Sequence, residues 1–156
     1  MPITEPPITL IRRFLLTLPM LATAALAQNA PLTIDSRYDF AATVTALETA
    51  IQEKGMTLFA RIDHQAAAKE AGLDMQPATV LIYGSPKAGT PLMQNDPTLA
   101  LQLPLKVLIT ENDGKVQVLL NSAEQVVTRS NTPYSAVENT LANAEKLIRA
   151  TVAVQP

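Results

Sequence analysis

From Leu32 onward, apolar and polar residues fall into patches of two distinct periods. Leu32 to Arg37 alternates, with Leu32 and Ile34 on one side, and predicts a first strand. Asp39 then caps a helix in which Phe40, Val44, Leu47 and Ile51 repeat at the 3.6-residue period, ending at Lys54-Gly55. Met56 to His64 alternates again. Strict parity puts Met56, Leu58, Ala60 and Ile62 on one face, with His64 on that apolar side at the strand's end. Gln65 to Ala71 is alanine-rich and stops at Gly72, predicting a short helix. Thr79 to Tyr83 is continuously apolar and β-branched, as in a strand inside its sheet.

Thr90-Pro91 and Asp96-Pro97 each set a capping residue before a proline and predict two brief helical turns. Leu105 to Thr110 and Lys115 to Leu120 alternate on either side of Asp113-Gly114, the chemistry of an antiparallel hairpin. Ser122 and Gln125 have capping-box spacing. Thr132-Pro133 then opens a helix with Val137, Leu141, Ala144 and Ile148 on one stripe. The order predicts an α+β domain with an antiparallel-rich sheet and two long helices packed on one face.

The amino end has a different character. Arg12 and Arg13 precede an apolar run from Phe14 to Ala25, and Ala25-Leu26-Ala27 is a small-residue cleavage site, so residues 1–27 read as a secretory signal peptide. Pro19 and Thr23 interrupt the run, which is shorter than the roughly 20 residues of a membrane span. The expected product is a single domain over 28–156, periplasmic or secreted, with no stable membrane insertion after cleavage. The arginine pair is also loosely similar to a twin-arginine export signal, but any ordinary export signal needs such a pair before its apolar run, so the general secretory route is favoured.

Composition removes several functions. The chain has no cysteine, hence no disulfide, thiolate metal site or cysteine nucleophile. One histidine leaves no catalytic triad beyond it and no multi-histidine zinc site. A formal net charge of −2, no Lys/Arg cluster and only three Phe, three Tyr and no Trp argue against nucleic acid.

Two segments hold candidate chemistry. In Tyr83-Gly84-Ser85-Pro86-Lys87-Ala88-Gly89-Thr90-Pro91-Leu92-Met93 the glycines have phosphate-loop spacing, but Thr90 stands where that loop needs lysine, so nucleotide binding is not expected. Turn chemistry, with Gly84 and Gly89 supplying special backbone angles, explains every residue there except Lys87. In the second segment Asp63 adjoins His64, the one side chain of the exported domain that ordinarily titrates near neutrality. Met75 and Met93 are thioethers able to join His64 around copper or haem iron, though no C-x-x-C-H exists for covalent haem.

Taken together, Phe59-Ala60-Arg61-Ile62-Asp63-His64, Gly72-Leu73-Asp74-Met75, the Tyr83 to Met93 stretch and Leu103-Pro104-Leu105-Lys106-Val107 closely resemble the family of domain of unknown function 302. The resemblance implies a TATA-binding-protein-like arrangement of strand, helix, four strands and helix, without nucleic-acid function, and suggests a homodimer. It carries no activity or cofactor with it. Tyr83-Gly84-Ser85 departs from the Phe-Gly-Asn frequent in the family, which puts in doubt any role for an amide side chain at Ser85.

These readings converge on a small binding module whose ligand site is drawn from Asp63, His64, Tyr83, Lys87, Thr90 and Met93. The juxtaposition requires the end of the His64 strand and the start of the Gly84 loop to share one edge of the sheet. Two alternatives remain at this stage: haem or copper held by His64 and Met93, and an enzyme with His64 as general acid or base and Lys87 steadying an anion.

Overall fold

The computed structural model describes residues 30–154, so the expected signal peptide lies outside the described residues. Strands β1 (Leu32–Asp35), β2 (Thr57–Asp63), β3 (Ala78–Gly84), β4 (Leu105–Asn112) and β5 (Lys115–Leu120) form one antiparallel sheet in the order β1-β5-β4-β3-β2. Helices α1 (Phe40–Glu53), α2 (His64–Glu70), α3 (Pro86–Asn95), α4 (Ala123–Thr128) and α5 (Leu141–Val152) complete it, with 3₁₀ turns at Pro97–Leu101 and Tyr134–Ala136. The expected α+β class and the strand, helix, four strands, helix backbone of the fold are present.

The apolar stripes account for the main core. Val44, Leu47 and Ile51 of α1 and Ile148 and Val152 of α5 are buried with Ile34, Leu81, Tyr83, Val107, Ile109 and Val118 from one face of the sheet. Asp39 caps α1 by accepting from Ala42 N at 2.8 Å. The β4-β5 hairpin turns through Asp113 (φ 50°) and Gly114 (φ 75°), the paired left-handed residues of a two-residue turn. A second cluster, Leu99, Ala123, Val126, Val127, Val137, Leu141 and Ala142, gathers at one end of the sheet, and Leu105 packs against both.

Three predicted details are corrected. First, β2 carries a bulge: Leu58 pairs with Tyr83 but Ala60 with Ile82, leaving Phe59 extra. Parity flips there. Leu58 stays with the core, whereas Ala60 and Ile62 move to the opposite face and Arg61 reaches Glu48 on α1 at 3.5 Å. Second, Thr90-Pro91 does not begin a helix. Ser85-Pro86 does, with Ser85 Oγ accepting from Ala88 N, and α3 runs through Pro91 to Asn95. Third, the last helix begins at Leu141 rather than near Thr132, because Tyr134–Ala136 winds into a 3₁₀ turn and Val137, fully buried, drops into the second cluster.

One polar atom in this core is unmatched. The Thr79 hydroxyl, between Asp63 of β2 and Ile109 of β4 in register, is buried without a hydrogen-bond partner. Thr79→Val keeps the branched shape and removes the desolvated hydroxyl, so it should stabilise the domain by about 1 kcal/mol in urea unfolding. A loss of stability would show that the hydroxyl has an acceptor.

Candidate functional site

Antiparallel pairing of β2 with β3 decides which candidates meet. Thr57 lies opposite Gly84, and Asp63 opposite Thr79. His64 therefore leaves the sheet at the edge from which β3 enters, six rungs or roughly 20 Å from Gly84. The two strands are neighbours, but His64 and the Gly84 to Met93 segment do not share an edge, so the single pocket containing both is not formed.

Asp63 has a structural task. Its carboxylate caps α2 by accepting from Ala66 N at 2.9 Å, and His64 is the exposed first residue of that helix instead of the last of a strand. The Asp-x-x-Ala start of an alanine-rich helix was the available sign. His64→Ala should leave stability within about 0.5 kcal/mol in urea unfolding. A larger loss would show that the imidazole is packed rather than exposed.

Tyr83 is also withdrawn from the surface. Its side chain is 1% exposed in the main core. Burial pushes the phenol up from its ordinary value, and the Glu145 carboxylate adds to the rise, so the group is neutral near physiological pH. Lys87 is exposed on the first turn of α3.

Thr90 and Met93 remain, and they do share a concavity. A cavity of about 430 Å³ opens where the two core clusters meet, between the ends of β3 and β4, helix α3 and the start of α5. Phe59, half exposed because the bulge sets it out of register, stands at one side with Met56; Leu103 and Pro104 form another wall, and Leu141 and Ala144 of α5 a third. Ser85, Thr90 and Thr140 supply the polar side chains of the lining, and no charged residue is part of it. Lys87, Tyr83, Asp63 and His64 are absent from the wall.

Neither Gly84 nor Gly89 has a positive φ, so the special backbone angles expected of them are not used here. A Cβ on Gly89 would stand 3.7 Å from Leu103 and 3.9 Å from Met93, in ordinary contact and facing the cavity wall. Phe59, Leu103, Leu141 and Ala144 were not singled out as site residues from sequence. Their convergence depends on the bulge and on the second cluster, and neither leaves a periodic mark.

A copper or haem centre shared by His64 and Met93 does not fit this geometry, because the two lie at opposite ends of the β2-β3 strand pair. Met75 is on the His64 side, where Gln65 Nε2 donates to Met75 O at 3.1 Å. Among the described residues no group of three or more His, Asp or Glu is placed to hold a metal ion.

The family model for Domain of unknown function DUF302 matches residues 32–153. A crystal structure of an uncharacterized conserved DUF302 protein from Bacillus stearothermophilus superposes with a TM-score of 0.67 at 20% identity, covering 78% of this chain and 94% of that one. Among curated proteins, Fluoride-specific ion channel FluC 1 of Brucella suis biovar 1 (strain 1330) is 36% identical over 107 residues, 68% of this chain and 42% of that protein. FluC 1 of Brucella abortus biovar 1 (strain 9-941) matches at the same identity over 40% of its length. The match thus spans less than half of each channel protein.

Proposed function

Because this chain belongs to the DUF302 family, whose members fold as an α+β domain and bring no assigned chemistry, we propose from its own geometry that it is a small-molecule binding module, using the cavity beside α3. The observation that carries this reading is a concave, largely apolar space of ligand-pocket size with a few hydroxyls at its wall. No titratable side chain lines it, so proton transfer within the cavity lacks a donor or acceptor of suitable pKa. His64, the candidate acid or base, is out of reach across the sheet.

Amide chemical shifts recorded against a fragment mixture test the reading. Shifts clustered at Gly84 to Met93 and Leu103 to Leu105 are expected; no shifts, or shifts centred on His64, would sink it. Export is proposed with it, on the arginine-flanked apolar run and the Ala-Leu-Ala site. Protein from a periplasmic fraction should begin at Gln28, and one beginning at Met1 in the cytoplasm would overturn export. A homodimer is proposed through β2, an edge strand of the sheet. Its test is the native mass.

A second reading rests on the Brucella relatives, which are named fluoride-specific ion channels. A membrane pore needs spanning helices or a closed barrel, and among the described residues no helix is long and apolar enough to cross a membrane. On this reading the domain is a water-facing companion of a channel, and the ion path belongs to the part of those relatives that it does not match. Millimolar fluoride should then leave the melting temperature of this chain within about 1 °C of its starting value. A clear rise would indicate direct fluoride binding.

A further inference from the structure

The wall of the α3 cavity constrains what enters it. Met56 and Met93 present thioethers, half-exposed Phe59 presents a ring, and Leu103, Leu105 and Leu141 add apolar wall. A ligand buried against these groups loses its water. If it carried a full charge, that charge would need a counter-charge or several donors in the wall to offset desolvation. None of the lining residues is charged. Of the charged residues that adjoin the lining in sequence, Lys87 and Lys106 are exposed and outside it, and the Glu145 carboxylate accepts from Ala123 N at 3.0 Å.

The hydroxyls set the remaining polarity. Ser85 Oγ accepts from Ala88 N at 3.3 Å, and Thr140 Oγ1 donates to Val137 O at 3.3 Å. Thr90 lies exposed at the rim. These groups can meet one hydrogen-bonding function at the edge of a ligand, but they do not form a cage for an anion. As for size, an apolar cavity of about 150 Å³ holds one benzene ring, and this one is larger by a factor that admits two or three fused or linked rings. Thioethers beside a ring are also good company for aromatic faces.

We infer that the cavity selects uncharged, mainly apolar small molecules of two or three rings bearing a single hydrogen-bonding group, and rejects carboxylates, phosphates and inorganic anions. This rests on the reading of the cavity as the ligand site.

Two fluorescent dyes that share a ring framework test it on the purified protein: N-phenyl-1-naphthylamine, which is uncharged, and its sulfonated counterpart 1-anilinonaphthalene-8-sulfonate. The uncharged dye should bind at least about ten-fold more tightly, because the sulfonate has no partner in the wall. Ala88→Phe, which fills the cavity from α3, should weaken the uncharged dye by about ten-fold or more while the far-ultraviolet spectrum is unchanged. Ala144→Leu repeats the filling from the opposite wall if the first variant does not fold. Equal or tighter binding of the sulfonated dye, lost in either filled variant, would overturn the charge selection and leave the cavity as the ligand site. Binding that neither filled variant weakens, or no binding of either dye, would overturn the cavity reading itself.

Discussion

Replacing Tyr83 by alanine should lower the unfolding free energy by about 3–5 kcal/mol, a large fraction of what a domain of this size possesses. Tyr83 is the largest of the fully buried side chains. It stands in one rung with Leu58 and Leu105, beneath the helices, where few neighbours can move to fill the space a ring leaves. Tyr83→Phe keeps the ring and should cost less than about 1.5 kcal/mol. Urea unfolding of both variants checks this. A cost below about 1 kcal/mol for the alanine variant would mean that the ring is not packed as described.

The same residue predicts a response to alkali. Burial raises the folded phenol above its unfolded value of about 10. The folded state therefore holds its proton where the unfolded state has released it. Stability is fully present below pH 10 and falls as pH rises beyond it. Tyr83→Phe should flatten that alkaline decline. An unchanged alkaline limb would assign it to other groups.

Tyr83 also illustrates what was legible from sequence. The unbroken apolar run around it marked an interior strand, and the 3.6-period stripe of α1, with Ala144 and Ile148 of α5, named residues that cover it, whereas Val137 and Leu141 of the same predicted stripe joined the second cluster. The Asp113-Gly114 turn fixed the hairpin, and the Ser122 to Gln125 capping box appears with both of its hydrogen bonds. These features are local, and local chemistry is what a sequence pattern reports. The site was less accessible because it depends on relations between distant segments. Whether β2 and β3 run antiparallel decides if His64 meets the Gly84 loop, and no residue in either strand encodes that choice alone. The extra residue at Phe59 reverses inside and outside for Ala60 and Ile62 without disturbing the alternation read along the chain. Ser85-Pro86 and Thr90-Pro91 carry the same cap-then-proline chemistry five residues apart, and only the first caps a helix, which runs on through Pro91.

Asp96 supplies the second large effect, and it concerns the frame of the cavity. Its carboxylate closes the 3₁₀ turn by accepting from Thr98 N at 3.1 Å and Thr98 Oγ1 at 2.6 Å. The other oxygen accepts from Asn131 N at 2.7 Å and Thr132 Oγ1 at 3.0 Å, more than thirty residues along the chain. One side chain thereby ties the end of α3 to the loop after α4, beside the second cluster, whose Leu141 lines the cavity. The Thr98 hydroxyl is the strongest influence holding the carboxyl down at about 2; burial opposes it, and the Thr132 hydroxyl and the Asn131 and Thr98 amides reinforce it. An unfolded aspartate titrates near 3.9. The folded value is the lower one, so the stabilisation is complete above about pH 4 and is lost as pH falls from 4 to 2. Asp96→Asn should melt several degrees lower at pH 7, since its amide presents donors to a site already filled with donors. Its stability should also vary less than that of the parent between pH 4 and 2, the two converging near pH 2. Parallel pH profiles would show that Asp96 is not the group behind the acid limb. A variant that melts normally but loses dye binding would place the residue's effect in the cavity alone.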